Sequence, residues 1–326
     1  MISKTKICVV GAGRWGMNHI NSLSRLGYLG GIVEQNADKL RELKKIFPNN
    51  ICYSSLDESF NSNFAGYVVA SPAHTHYQIS KVIIENGYPV LIEKPMTLNT
   101  SDSESLIQIA KENNINMMVG HLLLFHPAIQ KIKKLIRSNK IGKLQYIYSN
   151  RLNLGQVRTE EDVFWSFAPH DISILQYLTD SFPTNIDIMG GSFLQKHIAD
   201  STITFLSYPN NIKAHIYLSW LHPFKEHRIV VIGSEGMISF EDSITSKPLK
   251  FYDKKFIRNG VSFEKIDGEV EQIEYDKTSP LDNELIYFIT NLEAGFKTAN
   301  GENGLEVIKI LTMASEKLNN GNVNER

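Results

Sequence analysis

Along roughly the first 120 residues, short continuous apolar runs alternate with stretches whose apolar positions recur at helical spacing. Residues 6–10 (KICVV) predict a buried strand, ended by Gly11-Ala12-Gly13. A helix is predicted from Arg14 to Leu26, with Gly27 placed to terminate it. Residues 28–34 predict a second strand and 37–47 a second helix ahead of Pro48. The runs at 65–70 (AGYVVA) and 89–92 (PVLI) have the unbroken apolar character of strands buried on both faces, and 74–85 between them fits a helix closed by Gly87. Ser101 followed by Glu104 is a capping-box pattern opening a helix to Glu112, and 115–119 is the next strand. Such alternation predicts an α/β domain with a parallel, doubly wound sheet and right-handed crossovers over residues 1–122.

After Leu122 the rhythm changes. A helix at 127–138 leads to a strand at 144–151, and a second helix at 163–178 precedes runs at 185–193, 201–207, 212–220, 228–233 and 236–241. Turn residues such as Pro209-Asn210-Asn211 and Gly233-Ser234-Glu235-Gly236 separate several of these runs and predict antiparallel hairpins. Helices at 281–294 and 304–318 finish the chain, and the tail 319–326 reads as polar and frayed. Residues 123–326 thus form an α+β second domain, with no repeat or low-complexity linker between the two.

A length of 326 residues suits two domains, and 42% apolar with 21% charged residues is a globular composition. The formal charge of −1 removes the electrostatic case for a dedicated nucleic-acid or membrane-surface binder. Lys131, Lys133, Lys134, Arg137, Lys140 and Lys143 form a basic stretch, but Ile129, Ile132, Leu135 and Ile136 run through it at helical spacing, so it reads as a solvated face. Cys8 and Cys52 read as two reduced thiols. The N-terminal apolar run is too short for a signal peptide and none approaches a membrane span, so a soluble, cytoplasmic protein is expected.

Gly11-Ala12-Gly13-Arg14-Trp15-Gly16 is a G-x-G-x-x-G turn with a strand before it and a helix after it. The first glycine permits the turn, the second lets a pyrophosphate approach the backbone, and the third allows close helix packing. The helix N-terminus offers unpaired N–H groups and a positive dipole end to the phosphates, so a dinucleotide-binding Rossmann domain is expected. Glu34, at the end of the second strand, is placed to bond ribose hydroxyls and repel a 2′-phosphate, which favours NAD over NADP, although Lys39 and Arg41 follow on the next helix. Glu93-Lys94-Pro95 follows an apolar strand at the edge where such sheets present their ligand crevice. An ammonium there, beside a carboxylate, suits a hydroxyl that becomes an alkoxide as hydride leaves, while spacing alone also fits a surface Glu–Lys pair. His74 and His76 lack companion ligands, so no metal is expected. His215, His222 and His227 read as surface or interface residues.

The glycine turn, Ala70-Ser71-Pro72-Ala73-His74-Thr75-His76 and Glu93-Lys94-Pro95, in this order and ahead of an α+β half, resemble the glucose–fructose oxidoreductase/inositol dehydrogenase (Gfo/Idh/MocA) family over essentially the whole chain. The resemblance implies an NAD(P)-dependent sugar or polyol oxidoreductase whose C-terminal domain carries an open, mainly antiparallel sheet, with a homodimer or homotetramer expected. By position it implies that Gly11, Gly13 and Gly16, with Arg14 and Trp15, hold the pyrophosphate and Glu34 the adenosine ribose. Ser71, Pro72, His76 and Glu93 would lie near the nicotinamide, and Lys94 would be catalytic. The family's D-x-x-x-H element corresponds to Ser166-Phe167-Ala168-Pro169-His170, followed by Asp171. His170 matches the histidine, and an imidazole titrating near neutrality suits a general base, the bland reading being a structural histidine near a helix start. Ser166 departs from the aspartate.

Short matches (GH-LLLFHPA, R-N-G, APHDI) are similar to the nucleotide-sugar 3-dehydrogenase branch, which oxidises the 3-hydroxyl of a UDP-N-acetylhexosamine or its uronate to a 3-keto sugar. Arg151 and Arg158 are candidates for a carboxylate or diphosphate, Asn153 for sugar hydroxyls, and His121 ends a strand on the ligand edge; exposed arginines in ordinary surface pairs are the alternative. The expected activity is NAD-dependent oxidation of a nucleotide-linked sugar. Within enzymes the rival is a dehydrogenase or reductase of a free sugar, an inositol or a dTDP-ketosugar. Outside them it is a catalytically silent protein that binds NAD or sugar.

Overall fold

A computed structural model describes residues 5–322, with side chains described to Asn319. The chain divides into two compact units, Met1–Phe125 with Thr278–Lys309, and His126–Lys277 with Ile310–Arg326.

The first unit opens β1 (Ile7–Val10), α1 (Arg14–Leu26), β2 (Leu29–Val33), α2 (Ala37–Ile46), β3 (Ile51–Tyr53) and α3 (Leu56–Ser59). It continues through β4 (Gly66–Val69), α4 (His76–Glu85), β5 (Val90–Glu93), α5 (Thr100–Glu112) and β6 (Met117–Gly120). The six strands pair in parallel in the order β3-β2-β1-β4-β5-β6, as the alternation of runs predicts. β1, β4, β5 and β6 are buried at every residue, because helices cover both faces of the sheet. The strand order reverses between β1 and β4, so the crevice outside their carboxyl ends is the topological switch point of the sheet.

Two local expectations are corrected here. The cap of α5 is Asn99, whose side chain accepts from Asp102 N, rather than Ser101, which lies inside the first turn. β3 was not predicted; three residues at a sheet edge, with Ile51 exposed, carry too little periodicity to be read.

The second unit contains α6 (Pro127–Arg137), β7 (Leu144–Leu154), α7 (Val163–Thr179), β8 (Asn185–Gly191), β9 (Ser201–Ser207) and β10 (Lys213–Ser219). It then runs through β11 (Leu221–Gly233), β12 (Met237–Glu241), β13 (Leu249–Asn259) and β14 (Ser262–Gln272). Its sheet has the order β14-β13-β12-β11-β7-β10-β9-β8. Among the described residues all neighbours pair antiparallel except β7 and β10. Along β9, Thr202, Thr204 and Leu206 are buried while Ile203 and Phe205 are exposed, so one face is covered and the other open. The β13–β14 hairpin escapes prediction because its residues are mostly exposed on both faces; cross-strand charge pairs such as Lys254–Asp267 (2.7 Å) stand where apolar alternation would normally mark the strands.

The basic stretch on α6 also needs correction. Lys133 is buried, pairs with Asp180 at 2.5 Å and donates to Leu178 O, so it pins the end of α7 rather than facing solvent.

The chain closes with α8 (Pro280–Thr290) and α9 (Gly301–Asn322). A single cut at residue 122 is therefore too simple, because residues 278–309 return to the first unit. Phe288 of α8 packs against Gly66, Ala299 O accepts from Val119 N, and Gly304 sits against Val119 and Met96. These apolar contacts complete the Rossmann core, and later residues of α9 count with the second unit. Of the tail expected to fray, Asn319–Asn322 continue α9, and the rest lies outside the described residues.

Candidate functional site

β1 runs into the glycine turn because two positions there, Gly11 and Gly16, tolerate little else. Gly11 has φ +91°, and a Cβ on it would meet Ala70 O and Ser71 Cα at 3.0 Å. A Cβ on Gly16 would lie 2.0 Å from Gly11 O, so α1 can approach the turn only without a side chain there. At Gly13 nothing among the described residues lies within 4 Å of an added Cβ. The protein itself does not require glycine at that position, and the bare backbone suits a group that must come close. Gly13 is also the N-cap of α1 and supplies no side-chain cap, leaving the first N–H groups, at Arg14 and Trp15, to an outside acceptor. The turn therefore fits a dinucleotide pyrophosphate.

Glu34 follows β2 on the same edge. Its Oε2 accepts from Ala12 N at 3.0 Å and its Oε1 from Asn36 N at 2.9 Å, fixing the carboxylate against the glycine turn. Each oxygen keeps a further lone pair for a hydroxyl. Arg41 pairs with Asp38 on its own helix.

The segment after β4 is tied to the segment after β5 by His76, which is buried with its Nε2 2.9 Å from Ser71 O and its Nδ1 2.9 Å from Pro95 O. Burial lowers its pKa despite those carbonyls, so the neutral ring donates to one of them. Ser71 Oγ meets Thr75 Oγ1 at 2.7 Å, and Pro72 caps the 3₁₀ turn Ala73–Thr75 that leads into α4. Lys94 is half-buried, and its peptide bond to Pro95 is cis.

Beside Lys94 the structure brings together groups the sequence did not connect. Glu93 is buried; its Oε1 accepts from His19 Nε2 at 2.6 Å and its Oε2 from Lys94 N at 3.1 Å. Burial alone pushes the Glu93 carboxyl up, but the hydrogen bond and charge of His19, with Lys94, outweigh it and hold the group below the usual carboxylate range. Glu93 is therefore an ionised counter-charge to Lys94. His121 is buried, both ring nitrogens lack a partner among the described residues, and burial pushes its pKa down to about 4. His19 was missed, although it interrupts the buried stripe Gly16, Ile20, Leu23 of α1, and a polar residue on such a stripe is a readable signal.

In the second unit, His170 lies one residue past Pro169 inside α7 and is half-buried. Asp171, a further candidate for the substrate site, is engaged within the protein: its Oδ1 accepts from Ser149 Oγ at 2.6 Å and from Arg151 Nη2 at 3.0 Å, and its Oδ2 from Arg151 Nε at 2.8 Å. Arg151, a candidate for a carboxylate or diphosphate, is the partner in two of these bonds. Its guanidinium is held in this pair, where burial disfavours its charge and Asp171 more than restores it, raising the pKa. The pair fastens β7 to α7 beside His170. Asn153 is on β7 rather than a loop, on the same face as Arg151. Arg158 remains half-exposed, with Glu161 3.9 Å away, and Ser166 is buried. His215 is not a simple surface residue, since it stacks on Tyr148 and bonds Tyr146.

No group of three or more His, Cys, Asp or Glu that could hold a metal ion occurs among the described residues. No helix among them is long and apolar enough to cross a membrane.

Comparison with known proteins adds to this geometry. Residues 5–121 match the family model of Gfo/Idh/MocA oxidoreductases with an NAD-binding Rossmann fold, and residues 129–239 match the Gfo/Idh/MocA C-terminal domain. The chain is 26% identical over 217 residues to UDP-N-acetylglucosamine 3-dehydrogenase of Acidithiobacillus ferrooxidans, covering 65% of this chain and 66% of that protein, just under two thirds of its length. A solved structure of that enzyme superposes with a TM-score of 0.84 at 22% identity, covering 96% and 97% of the two chains. Identity to scyllo-inositol 2-dehydrogenase (NAD(+)) of Bacillus subtilis is 24% over 256 residues, 73% of this chain and 74% of that protein. The WlbA dehydrogenase from Bordetella pertussis, solved with NADH and UDP-GlcNAcA, superposes with a TM-score of 0.78 at 18% identity, covering 98% of each chain.

Proposed function

This chain belongs to the Gfo/Idh/MocA family of oxidoreductases, and from that premise we propose that it is an NAD-dependent dehydrogenase of a nucleotide-linked N-acetylhexosamine or its uronate. The reaction is oxidation at C3 to a 3-keto sugar, a product suited to transamination in amino-sugar and surface-polysaccharide biosynthesis. The observation that carries the reading is Lys94 at the end of β5, beside the buried ionised Glu93 and in the same unit as the glycine turn. The substrate class is supported by the likeness to UDP-N-acetylglucosamine 3-dehydrogenase and to WlbA.

When bound, the nicotinamide supplies a hydride acceptor. The backbone of Gly11, Gly13, Arg14, Trp15 and Gly16 holds the pyrophosphate, and Glu34 holds the ribose. Lys94 donates a hydrogen bond to the reacting hydroxyl and stabilises negative charge developing on its oxygen, while His170 takes the hydroxyl proton. Arg158, not Arg151, is the arginine left for an anionic substrate group, and Asn153 is a candidate for sugar hydroxyls. The open sheet face bearing Ile203 and Phe205 is the surface we assign to a homodimer or homotetramer, and a cytoplasmic location fits the chemistry.

Incubating the purified protein with NAD and a panel of UDP-sugars, free sugars and inositols, while following NADH absorbance, tests this reading. Reduction with a UDP-N-acetylhexosamine or its uronate is expected. Turnover confined to inositol would favour the reading that the scyllo-inositol dehydrogenase likeness suggests, and cofactor binding without turnover would favour a silent binder. Glu34→Ala is expected to weaken NAD by about tenfold, roughly the value of one or two ribose hydrogen bonds to a charged group, and to affect NADP less. An unchanged NAD/NADP ratio in titrations would remove Glu34 from cofactor selection.

A further inference from the structure

A second glutamate lies buried in the first unit, near enough to Glu93 to feel its charge, and no step proposed above uses it. Glu284 of α8 is wholly buried, and neither carboxyl oxygen has a hydrogen-bond partner among the described residues. Its orientation is fixed from both sides. Asp282 accepts from Arg25 Nη2 at 2.6 and 2.7 Å, and Asn283 Nδ2 donates to Phe125 O at 3.2 Å, while Leu285 and Phe288 on the same face are buried in the core. α8 thus docks on α1, the helix that carries His19, with Glu284 on its inward face.

The charge that reaches it is that of Glu93 at the end of β5, and the groups around Glu93 come from several elements of the same unit: His19 from α1, His76 from α4, Lys94 next in the chain and His121 after β6. Glu93 already has two donors, whereas Glu284 has none. A buried carboxylate without a hydrogen bond, close enough to feel the charge of Glu93, is far costlier than the neutral acid. Burial pushes the Glu284 carboxyl well above the ordinary range, and the charge of Glu93 adds to the shift.

We infer that Glu284 is a positioning residue of the Glu93–Lys94 turn: a buried, uncharged carboxyl near Glu93, whose neutrality leaves the single charge of Glu93 to His19 and Lys94. This rests on the reading of Lys94 as the catalytic group. An ionised Glu284 would repel the Glu93 carboxylate and disturb its hold on His19 and Lys94; a smaller side chain would leave a cavity behind α1, the helix that carries His19.

Glu284→Gln and Glu284→Ala in the full-length protein test the inference with two readouts. The first is urea unfolding against pH. A proton kept in the folded state but lost on unfolding makes stability fall as pH rises from the ordinary carboxylate value up to the raised folded value. The unfolding constant of the unsubstituted protein, divided by that of the Gln variant, is therefore expected to climb about tenfold per pH unit across that window. A flat ratio would mean that Glu284 is ionised in the fold and would overturn the inference. The second readout is steady-state kinetics. Ala is expected to lower kcat by on the order of tenfold with NAD affinity unchanged, and Gln, matching the neutral acid in shape, to restore most of that loss. Gln as damaging as Ala would assign the carboxyl a direct part in the reaction and overturn the positioning role. If the unsubstituted protein oxidises no sugar, the reading of Lys94 fails, while the unfolding ratio still decides the charge of Glu284.

Discussion

Replacing Lys94 with alanine is expected to lower kcat/KM by about three orders of magnitude, the scale of losing a group that both bonds the reacting hydroxyl and stabilises its developing charge. NAD affinity should stay within about twofold, because a loss confined to the reacting state leaves ground-state cofactor binding alone. The separation follows from where the contacts arise. The proposed pyrophosphate cradle is the backbone of residues 11–16, and Glu34 is fixed by Ala12 and Asn36, none of which involves the Lys94 side chain. The turn should also survive, since the bond from Lys94 N to Glu93 Oε2 is a backbone bond and His19 still holds Oε1. Titration with NAD and a single-turnover assay on the same variant measure the two effects. Lys94→Arg is expected to recover little, because a planar guanidinium cannot place its charge where a compact ammonium sits. Normal turnover in Lys94→Ala would sink the assignment.

The Rossmann half is legible because its determinants are local. Buried parallel strands are unbroken apolar runs, and the glycine turn is a contiguous motif, so Ile7–Val10, Gly66–Val69 and the turn between β1 and α1 could be placed from composition alone. What escaped depends on long-range packing. That residues 278–309 complete the first core is written in the fit of Phe288 on Gly66 and of Gly304 on Val119, pairs far apart in sequence. The same holds at the site. Lys94 and Glu93 lie in one motif, but His19 bonds Glu93 from a helix distant in sequence and Glu284 lies near Glu93 on another, each visible only as a polar residue on an otherwise apolar stripe. The β13–β14 hairpin is hidden for the opposite reason: beyond Leu249 and Phe251 at the start of β13 it has too few buried positions to impose a period of two. The partner of Arg151 could not be read from the sequence either, because an arginine looks the same there whether it meets a ligand or, as in the structure, Asp171.

That last distinction leads to the largest stability effect expected in the second unit. Arg151→Ala leaves Asp171, a fully buried carboxylate, with only Ser149 as a donor, and breaking one side of such a pair costs about 3–5 kcal/mol. Asp171→Leu should be comparably damaging, since it strands a buried guanidinium. The double variant Arg151→Met/Asp171→Leu should recover much of the loss, because replacing both charges with apolar groups removes the desolvation penalty; what persists, about 1–3 kcal/mol, is the orphaned Ser149 hydroxyl and imperfect packing. Urea midpoints for the four proteins give the coupling energy directly. Were Arg151 instead a ligand for the substrate, its removal would change stability by less than about 1 kcal/mol and appear as a raised KM, with no rescue by the second substitution. The pair also lies beside His170, so a double variant that folds well but turns over slowly would show that the ion pair sets the aim of the general base we propose. Recovery of both stability and rate would show that apolar packing between β7 and α7 is enough to aim it.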